Sequence, residues 1–229
     1  MGRKEGKSIS NLLKEWKIVA SAPCRVDVGG TWDLKAFALP YEHIKPATVN
    51  FALSMRTEVC LQQFKDEWVK VSDKYAEEAY PLDFVPFDTN FRLIFAIVSY
   101  FRVHGLEIKI SYNAPPKSGL GGSGVLAVCT VAALDKAISL STGVPPLSKK
   151  QIVHIAHDIE DGLRFSYTGL QDQCAAAYGG VNKWIWSYTS MNGKFQQCEV
   201  LPEARHPELA ERLVVAYVGK SHDYLKRCK

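Results

Sequence analysis

From residue 106 to 112 the chain alternates strictly: Leu106, Ile108, Ile110 and Tyr112 are apolar, while Glu107, Lys109 and Ser111 are polar. A period of two predicts a strand with one buried face. Further β segments are expected at 17–22, 48–61 and 68–71, with an aromatic strand at 181–188 and an apolar strand at 213–218 as the last element. Helical spacing appears in Ile152, Ile155, Ala156, Ile159 and Leu163, one apolar stripe of a helix over 149–161. Ser148 and Gln151 form a capping box at its start, and Gly162 ends it. The apolar segment 91–104 reads as a helix capped by Asp88 and stopped by Gly105. A long apolar helix is expected over 125–140 and a short one over 172–178. Residues 1–16 form a polar, partly helical lead-in, and 22–33 reads as turn-rich. Strands and helices mix without regular βαβ alternation, so the fold class is α+β.

Composition narrows the setting. In 229 residues, 47% are apolar and 23% charged, the make-up of a globular chain of one domain or two small ones. A net charge of +4, dispersed along the chain, argues against a nucleic-acid surface. No uninterrupted apolar run reaches the roughly 18 residues that cross a bilayer. The basic stretch Met1 to Lys7 lacks the apolar segment of a signal peptide, and Gly6 stands where a myristoylation motif needs Ser or Thr. The six cysteines are scattered without a CxxC pair, which favours buried thiols in a reducing, cytoplasmic setting over disulfides or structural zinc. The expected partner is a small molecule, with neither nucleic acid nor membrane. The residues do not specify an oligomeric state.

The segment Gly119-Leu120-Gly121-Gly122-Ser123-Gly124 lies between a strand and a helix. Glycines let several backbone N–H groups converge on one spot, and the helix N-terminus adds a positive dipole end. That combination suits a phosphate, and Ser123 can offer its hydroxyl to the phosphate or to its magnesium. Gly119, Gly121 and Gly124 match GxGxxG, but Pro115-Pro116-Lys117 separates them from the strand, and 141–150 holds no acid for a dinucleotide ribose. A Walker A loop is ruled out because Val125 stands where Lys is required.

Phosphoryl transfer needs metal ligands and often a base for the attacking hydroxyl. Glu160 lies at the flank of the 149–161 stripe, beside Val153 and Ala156, as either a metal ligand or an exposed charge. Asp158, Asp161 and His154 project away from the stripe, and His154 and His157 read as surface histidines. Asp172 follows Gly169 at a helix start, either a simple N-cap or a carboxylate favoured by the dipole. Arg25 and Asp33 flank a glycine turn at Gly29 and Gly30, where the arginine can pair with a carboxylate or a phosphate.

These pieces occur in a known order. Ala22-Pro23-Cys24-Arg25-Val26-Asp27 with Gly29-Gly30-Thr31-Trp32-Asp33 resembles the first motif of the GHMP small-molecule kinases. Pro116-Lys117-Ser118-Gly119-Leu120-Gly121-Gly122-Ser123 resembles their second motif, the ATP-phosphate loop, and Gly169-Leu170-Gln171-Asp172-Gln173 the segment carrying the catalytic aspartate of their sugar kinases. The heptose-phosphate kinase and fucokinase branch is the most similar; galactokinases carry Glu-His-Thr-Asp at the first motif, of which only Asp33 is retained here. The resemblance implies ATP and Mg2+ as cofactors and transfer of a phosphoryl group to a hydroxyl of a sugar or sugar phosphate. It assigns Asp172 to the sugar hydroxyl and Arg25 to holding its charge. Pro116 to Gly124 would bind the triphosphate, Ser123 and Glu160 the magnesium, and Asp33 with Gly29 and Gly30 the sugar. It also implies a lead-in at 1–16, an N-terminal ATP-binding domain at 17–200 and the start of a C-terminal subdomain at 201–229. That ferredoxin-like subdomain, with its third glycine-rich motif, is largely absent, so weak or no activity of the chain alone is expected. The alternative is a non-catalytic nucleotide-binding module derived from such a kinase.

Overall fold

The computed structural model describes residues 7–217 and 219, apart from 87, 116, 164–167 and 192. In chain order the elements are β1 (Lys7–Ser8), α1 (Ser10–Glu15), β2 (Ile18–Val28), α2 (Lys35–Ala38) and its 3-10 continuation Leu39–Ile44, then β3 (Ala47–Gln63), β4 (Trp68–Ser72) and β5 (Glu77–Pro81). There follow α3 (Arg92–Phe101), β6 (Val103–His104), β7 (Leu106–Tyr112), α4 (Gly122–Thr142), α5 (Lys149–Gly162), α6 (Gln171–Tyr178), β8 (Val181–Trp186), β9 (Phe195–Leu201) and α7 (His206–Ala210).

Seven strands form one mixed sheet in the order β5-β4-β7-β3-β8-β9, with β2 paired to β3. The long β3 organises it. Its first half pairs with β8 through Ala47–Phe51 and its second half with β7 through Thr57–Gln63, all antiparallel. Among the described residues, β4 and β7 are the one parallel pair of this sheet, and β1 and β6 pair in parallel apart from it. Thr57, Val59 and Leu61 are buried while Arg56 and Glu58 are exposed, so period two buries one face of β3. β7 shows the same alternation over the residues its sequence pattern predicts.

Helix α4 packs on β2 and β3 and touches α3, α5 and α6. It is long and apolar enough to cross a membrane, but more than half of its most apolar window is buried inside the protein, which accounts for that composition. Val125, Val128, Val131 and Leu134 of α4 join Ile94, Ile97, Val59, Leu61 and Ile108 in the main core. A second cluster gathers Trp184, Trp186, Phe195, Leu170, Cys174 and Ala38 beneath α6.

Several expectations are corrected. The turn-rich reading of 22–33 yields to strand through Val28, because β3 pairs with it as far as Val28↔Val49. Asp88 does not cap α3; Phe91 occupies that position without a side-chain bond, and Arg102 at φ 53 ends the helix. The capping box of Ser148 and Gln151 is present. The buried face of α5 is Val153, Ala156, His157 and Glu160, with the isoleucines only partly covered, so His157 is no surface residue. The expected strand at 213–218 is absent over 213–217, which are exposed and irregular, and residue 218 lies outside the described residues. The edge strand β9 carries exposed Gln196, Gln197 and Glu199, a polar run that hid it from periodicity. The five described cysteines are free thiols, three of them buried.

Candidate active site

The site begins with an irregularity in the sheet. Pro23 pairs with Arg56 but Arg25 pairs with Ala52, so Cys24 alone faces Leu53, Ser54 and Met55. Such a bulge re-aims the side chains beside it. Arg25, 8% exposed, extends toward α6 and the glycine loop. Its Nε donates to Asp172 Oδ1 at 2.7 Å, and Nη2 meets the same oxygen at 2.5 Å. Nη1 donates to the Gly119 carbonyl at 2.8 Å and pairs with Asp27 at 2.8 Å. Burial alone would favour a neutral guanidine, but the carboxylates of Asp172 and Asp27 overcome it and raise the Arg25 pKa. Both guanidinium bonds to Asp172 use Oδ1, so Oδ2 takes no part in the pair.

The glycine loop rests on this pair. The Arg25 amide donates to Leu120 O, so the carbonyls of 119 and 120 turn inward. Gly121 has φ 77, a left-handed conformation that favours glycine, and a Cβ there would stand 3.2 Å from Asp172 Cγ. Gly124 is closer still: a Cβ would fall 2.6 Å from the Asp172 Cβ. Gly122 and Ser123 are exposed at the first turn of α4, where backbone N–H groups lack helical partners. A cleft of about 380 Å³ opens here. Lys117 to Ser123, Arg25 and Asp172 line it, together with the apolar Ile110, Tyr112 and Leu126.

Glu160 enters from α5. It is 3% exposed, Ser123 hydrogen-bonds to it, and Gln173 Nε2 donates to its Oε2 at 2.7 Å. Burial lifts its pKa to about 7 in spite of these donors. Asp33 is likewise buried, and burial raises its pKa to about 7 against the pull of the Gln171 N–H. That N–H donates to Asp33 Oδ2 at 3.1 Å, while Oδ1 has no partner. Gly169 leaves no space beside Asp33, since a Cβ there would sit 1.8 Å from Oδ2. His157 secures the same segment, bonding to Thr168 O at 3.2 Å and to Asp158 at 2.9 Å.

The fold thus brings Arg25, Asp172, Lys117, Ser118, Gly119, Leu120, Gly121, Gly122, Ser123 and Gly124 together, with Glu160 joined through Ser123 and Asp33 joined to the Asp172 segment through Gln171. Gly29 and Gly30, at φ 103 and 84, turn the chain after β2 and do not line the cleft. Pro116 lies outside the described residues. Sequence reasoning passed over Asn50 and gave Gln173 no role of its own. Asn50, 1% exposed, pairs across the sheet with Asp27 and with Asn182, and both its side-chain polar atoms are unpartnered. A lone amide in an apolar strand gives no local signal; only the pairing register reveals it.

Residues 91–180 match the family profile described as GHMP kinases N terminal domain. Over that stretch, 90 of the 229 residues, the chain is similar to this family. Two curated relatives are the mevalonate kinases of Pyrococcus horikoshii, 24% identical over 91% of this chain and 68% of that one, and of Pyrococcus furiosus, 22% identical over 86% and 65%. Among solved structures, a D-glycero-D-manno-heptose 1-phosphate kinase from Bacteriodes thetaiotaomicron superimposes with a TM-score of 0.68 at 21% identity, covering 82% of this chain and 61% of that one. The Lactococcus lactis galactokinase complexed with galactose gives 0.62 at 15% identity, covering 92% and 64%. The chain thus spans about 60% of the length of the solved structures it resembles. At these identities the structural likeness concerns the GHMP-type fold, an α+β domain with a mixed sheet under helices.

Proposed function

We propose that the chain provides the phosphoryl-transfer site of an ATP-dependent small-molecule kinase acting on a hydroxyl of a sugar or sugar phosphate. The observation that carries this reading is the Arg25–Asp172 pair, with the glycine loop packed directly against it. Backbone amides of Gly121 to Gly124 face the triphosphate. Arg25 fixes Asp172 by two bonds to Oδ1, so Oδ2 is the atom that takes the proton of the attacking hydroxyl. Arg25 also places positive charge beside the group in transfer.

The residues suit magnesium. Ser123 and Glu160 are oxygen donors already in contact, and a buried carboxylate whose charge burial disfavours is one a dication would stabilise. Among the described residues no three acids, histidines or cysteines cluster as a metal cage, so the ion would be held jointly with the phosphates. Magnesium would neutralise triphosphate charge.

On the acceptor side, Asp33 Oδ1, Gln171 Oε1 and both polar atoms of Asn50 are buried without partners. Asp33 accepts from the N–H of Gln171, the residue before Asp172, and α6 packs on the β2 and β3 strands that carry Asp27 and Asn50. Hydroxyl-rich ligands satisfy such atoms. It is these orphaned buried atoms that support a sugar-type acceptor.

A thermal-shift series with MgATP and a sugar panel tests the proposal, because a ligand that binds only the native state raises its stability. MgATP is expected to stabilise the protein, and Asp172→Asn to keep that stabilisation while losing transfer. Stabilisation without transfer by the parent chain would favour a nucleotide-binding module. No response to MgATP would remove the kinase reading.

A further inference from the structure

We infer that Gln173 is a positioning residue: its amide orients the carboxylate of Glu160 and ties it to the helix that presents Asp172. The inference rests on the reading of Ser123 and Glu160 as magnesium ligands. Gln173 is fully buried, and its Nε2 donates to Glu160 Oε2 at 2.7 Å. It follows Asp172 immediately on α6, so one short helix holds both the carboxylate of the reacting hydroxyl and the clamp on the metal carboxylate.

The amide's orientation follows from chemistry. A carboxylate accepts hydrogen bonds, so the NH2 end must face Glu160 and the oxygen must face away. Oε1 is accordingly left buried without a partner. An unpaired buried acceptor is destabilising, and an unbranched apolar side chain would fill the same position without that cost. The placement makes sense if the donor to Glu160 is what the position is for. Gly124 supports it from the other side: a Cβ there would come within 3.3 Å of the Gln173 Cδ and Nε2, so the glycine admits the amide to the first turn of α4. Glu160 is thereby held by Ser123 at the loop and by Gln173 behind it. Partners behind a metal ligand set its orientation, and their loss typically weakens metal affinity by about 10–100-fold.

The experiment measures ATP affinity calorimetrically with and without Mg2+ for the parent, Gln173→Met, Glu160→Gln and the double variant. In the parent, Mg2+ should strengthen ATP binding. Gln173→Met should cut that strengthening by about 10–100-fold while leaving metal-free ATP affinity unchanged. In the Glu160→Gln background the Met substitution should have no further effect, because Gln173 acts through Glu160. An unchanged Mg2+ effect in Gln173→Met overturns the inference, and so does an equal loss with and without Mg2+, which would mark mere packing. If the parent itself shows no Mg2+ effect, the magnesium reading fails and the inference falls with it. Melting curves check folding. Should Gln173→Met not fold, Gln173→Asn, whose amide stops one methylene short of Glu160, replaces it with the same expectation.

Discussion

Gly122 and Gly124 lie two residues apart in the first turn of α4, and replacing each by alanine separates helix propensity from packing. Both have ordinary helical backbone, so each substitution gains the same intrinsic term, up to about 1 kcal/mol. Their surroundings differ. A Cβ at Gly122 meets nothing within 4 Å, whereas at Gly124 it would lie 2.6 Å from Asp172 Cβ and 3.3 Å from the Gln173 amide. Neither neighbour can yield easily, because Asp172 is held by Arg25 and Gln173 by Glu160. Relieving the contact means moving α6 away from α4, an overpacking cost of about 1–3 kcal/mol. The helix term cancels in the comparison, so Gly122→Ala should be more stable than Gly124→Ala by about 1–3 kcal/mol. For a chain of this length that is a gap of about 2–12 °C in melting temperature. Denaturant unfolding with matched m-values measures it directly. Displacing Asp172 by about 1 Å should also reduce phosphoryl transfer by about 100-fold in Gly124→Ala. Equal stabilities for the two variants would show that α4 and α6 are not in close contact at Asp172, and the geometry of the site would have to be redrawn.

The pH dependence of Asp33 can be read in stability. Burial raises its pKa from the ordinary 3.8 to about 7, so between these values the native state keeps a proton the unfolded chain has released. Stability therefore falls as pH rises through that window and levels above about 7. Asp33→Asn removes the dependence and should gain on the parent steadily from pH 4 to 7; a constant difference across that range would contradict the assignment. His157→Leu deletes the ring's bonds to Thr168 O and Asp158. We expect a loss of about 1–3 kcal/mol from the two hydrogen bonds removed, with weaker acceptor binding, since Gly169 to Gln171 hold Asp33. Denaturant unfolding with a sugar titration checks both, and intact stability would mean that the latch is dispensable.

Local sequence was enough for elements whose cause is local. The alternation from Leu106 to Tyr112 became β7, and Ser148 with Gln151 became the cap of α5, because periodicity and capping act within a few residues. The glycine-rich segment between a strand and a helix was also legible, since positive φ and free amides are properties of the segment itself. Other features depend on partners far along the chain. Residues 23–28 extend as strand because β3 pairs with them. Residues 213–217 are just as apolar but stay irregular, since among the described residues no strand pairs with them. His157 is buried because Thr168 supplies an acceptor, and Glu160 because Ser123 and Gln173 supply donors. Hydrophobic pattern ranks both as flank or surface positions, since a polar group enters a protein interior only when distant residues complete its hydrogen bonds.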